Sequence, residues 1–239
     1  MKVLWVCNIM LPVIAEALHR EASNKEGWLS GLLSQIVDRE DTGMTLAVAF
    51  PVPAGEEIPQ SFVVRVQGEH PACVAEATSA TEAASASEGG GGYLVRCYGF
   101  HEDTVHPDRY QPELEEELRK ITDDYDPDVI HCFGTEYPHT LAVCRVYPHP
   151  ERILLGIQGI CSLCAEAYFA DLPERVTRKV TFRDLVKRDS LRSQQEKFVR
   201  RGVMEREAIG LAGNITGRTA WDREVTTGWN PGAQYYPMN

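Results

Sequence analysis

The residues with the most chemical potential lie in one short stretch, D-P-D-V-I-H-C-F-G-T-E-Y-P-H at residues 126–139. Within it, residues 128–133 form a short apolar run between a proline and a glycine, which predicts a buried parallel strand. Gly134 breaks the run, and Pro138 suits the first turn of a new helix. The stretch is therefore expected to place a turn at the carboxyl end of a strand.

Four polar side chains cluster around this expected strand end: His131, Thr135, Glu136 and His139. Ligands of open α/β sheets bind outside the carboxyl ends of the strands. Neutral and charged hydrogen-bonding groups at fixed positions are what a polar ligand requires there. The alternative for the same residues is a helix cap beside a buried histidine.

The composition is that of an ordinary soluble globular protein. The chain has 239 residues, 43% of them hydrophobic and 25% charged, which suits one large α/β domain or two small ones. No apolar run approaches the roughly 18 residues that span a bilayer. The apolar run in the N-terminal sequence M-K-V-L-W-V-C-N is too short for a signal peptide, and polar residues follow it too early. We therefore expect a cytoplasmic protein.

The cysteines indicate reduced thiols rather than a disulfide framework. There are seven, an odd number scattered over a large chain, and most lie in apolar runs. Cys161 and Cys164 form a lone C-x-x-C with no second pair and no flanking redox signal. This favours small core-facing residues on a helix over a zinc or redox site.

Charge is unevenly distributed along the chain. The formal net charge of −11 argues against general nucleic-acid binding. Residues 175–206 hold eleven Lys or Arg and four Asp or Glu, a local balance of +7 that leaves −18 on the remainder. This segment suggests an anionic partner, and the alternative is a solvated surface whose charges pair with acids elsewhere. The segment's apolar residues are expected to face the protein core: Phe182, Leu185, Val186, Leu191, Phe198 and Val199.

Strand-like and helix-like segments alternate along the chain, which predicts a parallel sheet covered on both faces. The strand-like runs are residues 2–7, 44–50, 62–66, 93–98, 128–133, 153–157 and 214–217. Residues 68–92 are rich in Ala, Ser, Glu and Gly, and we expect them to form a flexible loop.

The turn after the first strand lacks the G-x-G-x-x-G of dinucleotide-binding proteins, which argues against an NAD or FAD site there. Asn8 opens that turn instead. Gly27 and Trp28 lie near the start of a predicted helix, where backbone amides can face an anion. The alternative for both is plain helix packing.

Three blocks carry a resemblance to a known family: D-P-D-V-I-H-C-F-G-T-E at 126–136, I-Q-G at 157–159, and G-R-T-A-W-D-R at 217–223 leading to N-P-G-A-Q-Y-Y at 230–236. In order and spacing they resemble the N-terminal domain of GT-B-fold glycosyltransferases of the family 4 type. The resemblance covers nearly the whole chain outside residues 68–92.

Some positions depart from the family pattern. Asn8 begins a run that stands where many relatives have a Gly-Gly turn. Phe133 replaces a second histidine, and Gln158 stands where a histidine often follows the fifth strand. The departures all fall on acceptor-side loops and strands.

The resemblance implies a Rossmann-like, mainly parallel sheet with helices on both faces, a single domain that forms one half of a GT-B fold. Residues 1–239 would be the acceptor-side half of a retaining glycosyltransferase, which transfers a sugar from a nucleotide-sugar donor to a glycan or lipid-linked acceptor. The C-terminal donor-binding domain would be absent from this chain, which alone would be inactive. No cofactor or metal is implied, and segment 175–206 would contact the inner membrane face.

The family's functional positions map onto residues in the loops after the strands. His131 and Glu136 are the catalytic candidates. The acceptor-binding candidates are Asn8, Gly27, Trp28, Thr135, His139, Gln158, Gly159, Arg218 and Thr219.

Two other functions remain open at this point. One is a non-catalytic binding module that uses the same strand-end surface. The other is a different enzyme on a flavodoxin-like sheet. Hydrolase chemistry is poorly supported, because Ser162 lies in no G-x-S-x-G elbow.

Overall fold

A computed structural model describes residues 1–22, 27–39, 43–66, 76–79, 92–187 and 190–238. Contacts within it divide the chain into two compact units. Unit 1 comprises residues 1–104 and 116–133, and unit 2 comprises residues 105–115 and 134–239.

Unit 1 is built on a mainly parallel sheet, in which the described strands follow the order β4-β3-β5-β2-β1-β6. Strand β1 pairs in parallel with β2 and β6, and β2 pairs in parallel with β5. Strand β3 pairs antiparallel with β4 and β5 at one edge. The strands are β1 (Lys2–Val6), β2 (Thr45–Pro53), β3 (Phe62–Val66), β4 (Glu76–Ser79), β5 (Tyr93–Glu102) and β6 (Val129–Phe133).

The central strands of unit 1 are nearly continuous apolar runs, as expected for a parallel sheet covered on both faces. Every residue of β1 after Lys2 is buried, as are seven consecutive residues of β2. Helices α1 (Pro12–Ala17) and α2 (Gly27–Val37) add Ile14, Leu29 and Leu33 to the same core. Helix α3 (Glu113–Tyr125) precedes β6.

Unit 2 has three described strands, all parallel, in the order β7-β8-β9. They are β7 (Ile153–Gly156), β8 (Asn214–Gly217) and β9 (Gln234–Pro237). The helices are α4 (Pro138–Val146), α5 (Cys161–Glu166), α6 (Glu174–Thr177), α7 (Phe182–Lys187), α8 (Leu191–Leu211) and α9 (Ala220–Trp229), with a 3-10 turn at Pro150–Arg152.

The starts of the unit 2 helices follow local sequence signals. Pro138 occupies the first position of α4, where its missing N–H costs nothing. Ser190 caps α8 by accepting a hydrogen bond from the Ser193 N–H. Thr219 and Asp222 form a reciprocal capping box at the start of α9.

The predicted α/β fold class, with a mainly parallel Rossmann-like arrangement, is confirmed. The assignment of residues 1–239 to one acceptor-side domain stays a prediction. Of the expected loop at 68–92, the structure describes β4, a strand, and Gly92. The remainder of that expectation lies outside the described residues. No helix among the described residues is both long and apolar enough to cross a membrane.

One packing expectation is wrong. Phe182, Leu185, Val186 and Val199 are exposed rather than directed into the core. Leu191 and Phe198 are half-buried. Helical spacing of apolar residues predicts that one face is apolar, but it does not specify what covers that face.

Candidate functional site

In unit 2, the residues after β7 and β8 lie at one edge of a parallel pair. Leu154 to Gly156 are in register with Asn214 to Thr216, and the Ile157 N–H donates to the Thr216 carbonyl at 2.8 Å. The Arg218 guanidinium lies 3.5 Å from the Gln158 carbonyl oxygen, which it faces as a donor. The loops that carry Gln158 and Arg218 are therefore adjacent.

The turn at residues 134–136 is tied to the same edge. The Gly134 N–H donates to the Gly156 carbonyl at 2.9 Å, at the end of β7. The Thr140 hydroxyl donates to the Gly134 carbonyl at 2.9 Å. Gly134 has φ +96°, and a Cβ there would lie 2.7 Å from Glu136 Oε2. Only glycine satisfies both the backbone conformation and this close approach of the Glu136 carboxylate.

Glu136 carries a buried carboxylate oxygen at this turn. Its Oε2 has no hydrogen-bond partner among the described residues. Burial raises the pKa of Glu136, and the Arg201 charge opposes that rise. Arg201 also donates from Nε to the Glu136 carbonyl at 2.8 Å, and its guanidinium lies 5.1 Å from the centre of the Tyr137 ring. A carboxyl group with a raised pKa and an open oxygen is suited to exchange a proton with a bound hydroxyl.

Glu205, in the middle of α8, is a second buried carboxyl group beside the turn, and sequence reasoning missed it. It accepts a hydrogen bond from the Thr135 hydroxyl at 3.0 Å and from the Ser162 N–H at 3.3 Å. The residue has no exposed surface. Burial, together with the neighbouring charge of Glu136, raises the pKa of Glu205 to about 7. The proton of the Thr135 hydroxyl is therefore used in the hydrogen bond to Glu205.

A sequence signal for Glu205 existed. It lies on the buried face of α8 with Gly202, Met204, Ala208 and Ile209. A lone acid on the apolar face of a helix is buried at a cost unless it is hydrogen-bonded. The same helix carries Arg201, one of the basic residues of segment 175–206.

The other predicted site residues of unit 2 differ in their burial and in their hydrogen bonds within the protein. His139 is fully buried in the first turn of α4, with its ring stacked on Tyr137 at 5.4 Å. Gln158 has a buried Nε2 without a hydrogen-bond partner among the described residues, and Gly159 beside it is exposed. The Thr219 hydroxyl accepts a hydrogen bond from the Asp222 N–H at 3.0 Å, so that it caps α9.

In unit 1, His131 lies in the middle of β6 rather than at its end, paired in register with Trp5. Its ring centre is 4.0 Å from that of Phe133. Burial lowers the pKa of His131 to about 4, so the imidazole is neutral at pH 7. Its Nε2 is buried with no hydrogen-bond partner among the described residues.

Phe133 also contacts the predicted ligand-binding residue Trp28, edge to face, at 5.4 Å between ring centres. Trp28 remains 46% exposed, which leaves part of its indole face available to a ligand. Gly27, beside it, is exposed at the start of α2. Asn8 is buried just after β1. The predicted site residues thus divide between the two units.

The described residues contain no group of three or more His, Cys, Asp or Glu placed to hold a metal ion. Cys161 and Cys164 lie on α5, the first buried and the second exposed, and both are free thiols. Burial raises the pKa of Cys161 to about 12, which keeps it protonated and unreactive at neutral pH.

Comparison with known proteins adds little to this description. No protein-family model matches the chain, and no curated protein matches it. Among solved structures, the chain is similar to Medicago truncatula UGT71G1, whose structure is a complex with UDP-glucose. The similarity has a TM-score of 0.40 at 9% identity, covers 100% of this chain, and spans about half (51%) of that protein.

Proposed function

We propose that this chain is the acceptor-binding half of a retaining glycosyltransferase. It would take part in the transfer of a sugar from a nucleotide-sugar donor to a glycan or lipid-linked acceptor. The observation that carries the proposal is that Glu136 Oε2 and Gln158 Nε2 of unit 2 are both buried and have no hydrogen-bond partner among the described residues. The first accepts and the second donates hydrogen bonds, and a sugar hydroxyl can do both.

Leaving such atoms unsatisfied costs roughly 1–3 kcal/mol each. A bound hydroxyl-rich ligand would recover that energy. Glu136, with its raised pKa, is proposed to take the proton of the acceptor hydroxyl. His131, with a pKa lowered to about 4, is proposed to act as a neutral hydrogen-bonding group.

The finer assignments rest on the sequence resemblance. These are the family 4 type, the retaining stereochemistry, and a separate C-terminal domain that holds the donor diphosphate. Asn8, Gly27, Trp28, His139, Gly159 and Arg218 remain proposed acceptor contacts. Thr135 and Thr219 are proposed to act indirectly, because their hydroxyls hold Glu205 and cap α9. A cytoplasmic location at the inner membrane face is part of the same proposal.

The test is a binding screen of the 239-residue chain against mono- and oligosaccharides by ligand-observed NMR, followed by calorimetry. We expect a sugar ligand whose affinity falls about 10- to 100-fold in Glu136→Gln, as for loss of a hydrogen bond to a charged group. Glu224→Gln, at an exposed position of α9, is the matched control and should bind normally. Absence of binding to every sugar, or equal binding by both variants, would overturn the proposal.

A transfer assay separates the enzyme from the alternative, a non-catalytic binding module. The 239-residue chain alone, mixed with nucleotide sugars and the identified acceptor, should form no product. Any longer protein that contains this chain and a donor-binding domain should form it. Sugar binding without transfer by the longer protein would favour the binding module.

A further inference from the structure

Residues 172–187 of unit 2 expose an unusual number of apolar side chains. On α7, Phe182 is 81% exposed, Leu185 69% and Val186 66%. These three positions are spaced i, i+3, i+4, so that they share one helical face. The preceding residues add further exposed apolar side chains to the segment: Leu172, Val176 and Val180. The apolar face that sequence analysis assigned to the core therefore faces solvent.

The same residues are strongly basic. Between residues 174 and 187 there are five Lys or Arg and two acids, a local charge of +3 in a chain of net charge −11. One acid, Glu174, pairs with Arg178. The other, Asp184, accepts a hydrogen bond from the Thr181 N–H at 2.8 Å. Within the part of the chain that the structure describes, Arg175, Lys179 and Lys187 form no salt bridge.

Two arginines farther along the segment, Arg200 and Arg201, form hydrogen bonds within unit 2. Arg200 donates from Nε to Asp108 at 2.8 Å, and Arg201 donates to the Glu136 carbonyl. Around α7, by contrast, Arg175, Lys179 and Lys187 are open to an anionic partner. This narrows the predicted anionic contact from residues 175–206 to residues 172–187.

A protein that presents apolar and basic side chains together matches the interface of an anionic bilayer. The apolar groups enter the boundary between headgroups and acyl chains, and each nearby Lys or Arg strengthens binding about fivefold. The exposed apolar surface is too small to favour a protein partner. Its few large side chains expose a few hundred Å², against about 800 Å² per partner in a stable protein interface.

We propose that residues 172–187 form a membrane-binding surface for anionic phospholipid. Phe182, Leu185 and Val186 enter the interface, and Arg175, Lys179 and Lys187 lie over the headgroups. The biological role of this binding, access to a lipid-linked acceptor, rests on the proposed function. Lipid binding itself does not depend on sugar transfer.

The test is co-sedimentation of the 239-residue chain with vesicles of phosphatidylcholine alone or mixed with phosphatidylglycerol, at low and high salt. We expect binding only to the mixed vesicles, weakened by salt. The double variants Phe182→Ser/Leu185→Ser and Lys179→Glu/Lys187→Glu should each bind at least about tenfold more weakly. Thermal melting shows whether each variant folds.

Two matched controls lie on α8, outside the proposed surface. Val203→Ser removes an apolar side chain that is 65% exposed, and Arg192→Glu reverses an exposed charge. Both should bind vesicles like the wild type. No binding at low salt, or equal loss in the control variants, would overturn the proposal. So would self-association in light scattering that Phe182→Ser/Leu185→Ser abolishes, since a second copy would then cover the surface. Because no nucleotide sugar or acceptor is present, vesicle binding can fail while the sugar-binding screen succeeds, and the reverse.

Discussion

The Thr135 hydroxyl donates a hydrogen bond to Glu205 Oε1 at 3.0 Å, across 70 positions of sequence. It joins the turn that carries Glu136 to the middle of α8. Together with the Ser162 N–H, it satisfies a carboxyl group that has no access to water. The turn that carries Glu136 is therefore tied to a buried acid on another helix.

Removing the Thr135 hydroxyl should destabilise the protein. Thr135→Val leaves the shape of the side chain nearly unchanged but takes one donor from Glu205. We expect the free energy of unfolding, measured by urea denaturation, to fall by about 1–3 kcal/mol. The control is Thr227→Val, whose hydroxyl bonds only within α9, to the carbonyls of Arg223 and Glu224. If both variants lose the same small amount of stability, the hydrogen bond from Thr135 to Glu205 does not contribute to the free energy of unfolding.

Glu205 should make stability fall as pH rises. Its pKa is about 7 in the folded protein, against 4.5 for an ordinary glutamate. The folded state thus holds a proton that the unfolded chain releases near pH 4.5. The stabilisation is complete below pH 4.5 and is lost as pH rises to about 7, a change on the order of 3 kcal/mol. Glu205→Gln should abolish this slope in urea denaturation, whereas Glu196→Gln, exposed on the same helix, should retain it.

His131 should produce the opposite slope. Its pKa is about 4 when folded, against 6.5 for an ordinary histidine, so the unfolded chain takes up a proton that the folded state refuses. Stability is complete above pH 6.5 and is lost as pH falls to about 4, a change on the order of 3 kcal/mol. His131→Asn should flatten this acid limb. His19→Asn, at an exposed position, is the control, and an unchanged acid limb in His131→Asn would contradict the neutral buried imidazole.

Two glycines of α8 should respond in opposite directions to alanine. A Cβ on Gly202 would lie 2.7 Å from Ser162 Cα, in the backbone of α5. We expect Gly202→Ala to lower the melting temperature, with a loss of about 1–3 kcal/mol. Gly210, near the end of the same helix, has nothing within 4 Å of the added atom. Gly210→Ala should therefore stabilise the helix by about 0.5–1 kcal/mol, and stabilisation by both changes would show that α5 and α8 are not closely packed.

The sequence by itself determined the α/β class and most element positions, because these depend on local patterns. The apolar runs of β1, β2 and β6 and the helical spacing of α2 each lie within a few consecutive residues. The Gly134 break and Pro138 likewise marked the turn before α4. Such signals act through backbone conformation and side-chain period, which neighbouring residues decide.

Only the tertiary structure decided which polar groups are buried and which apolar groups are not. Glu205 lies on the apolar face of its helix, but its hydrogen bonds come from α5 and from the Thr135 turn. Phe182 and Leu185 have the spacing of core residues, yet both side chains are exposed. Burial depends on which distant segment packs against a face, and the periodicity of that face does not encode the partner. The pKa values of Glu205 and His131 follow from burial, so they too came from the packing of segments far apart in the chain.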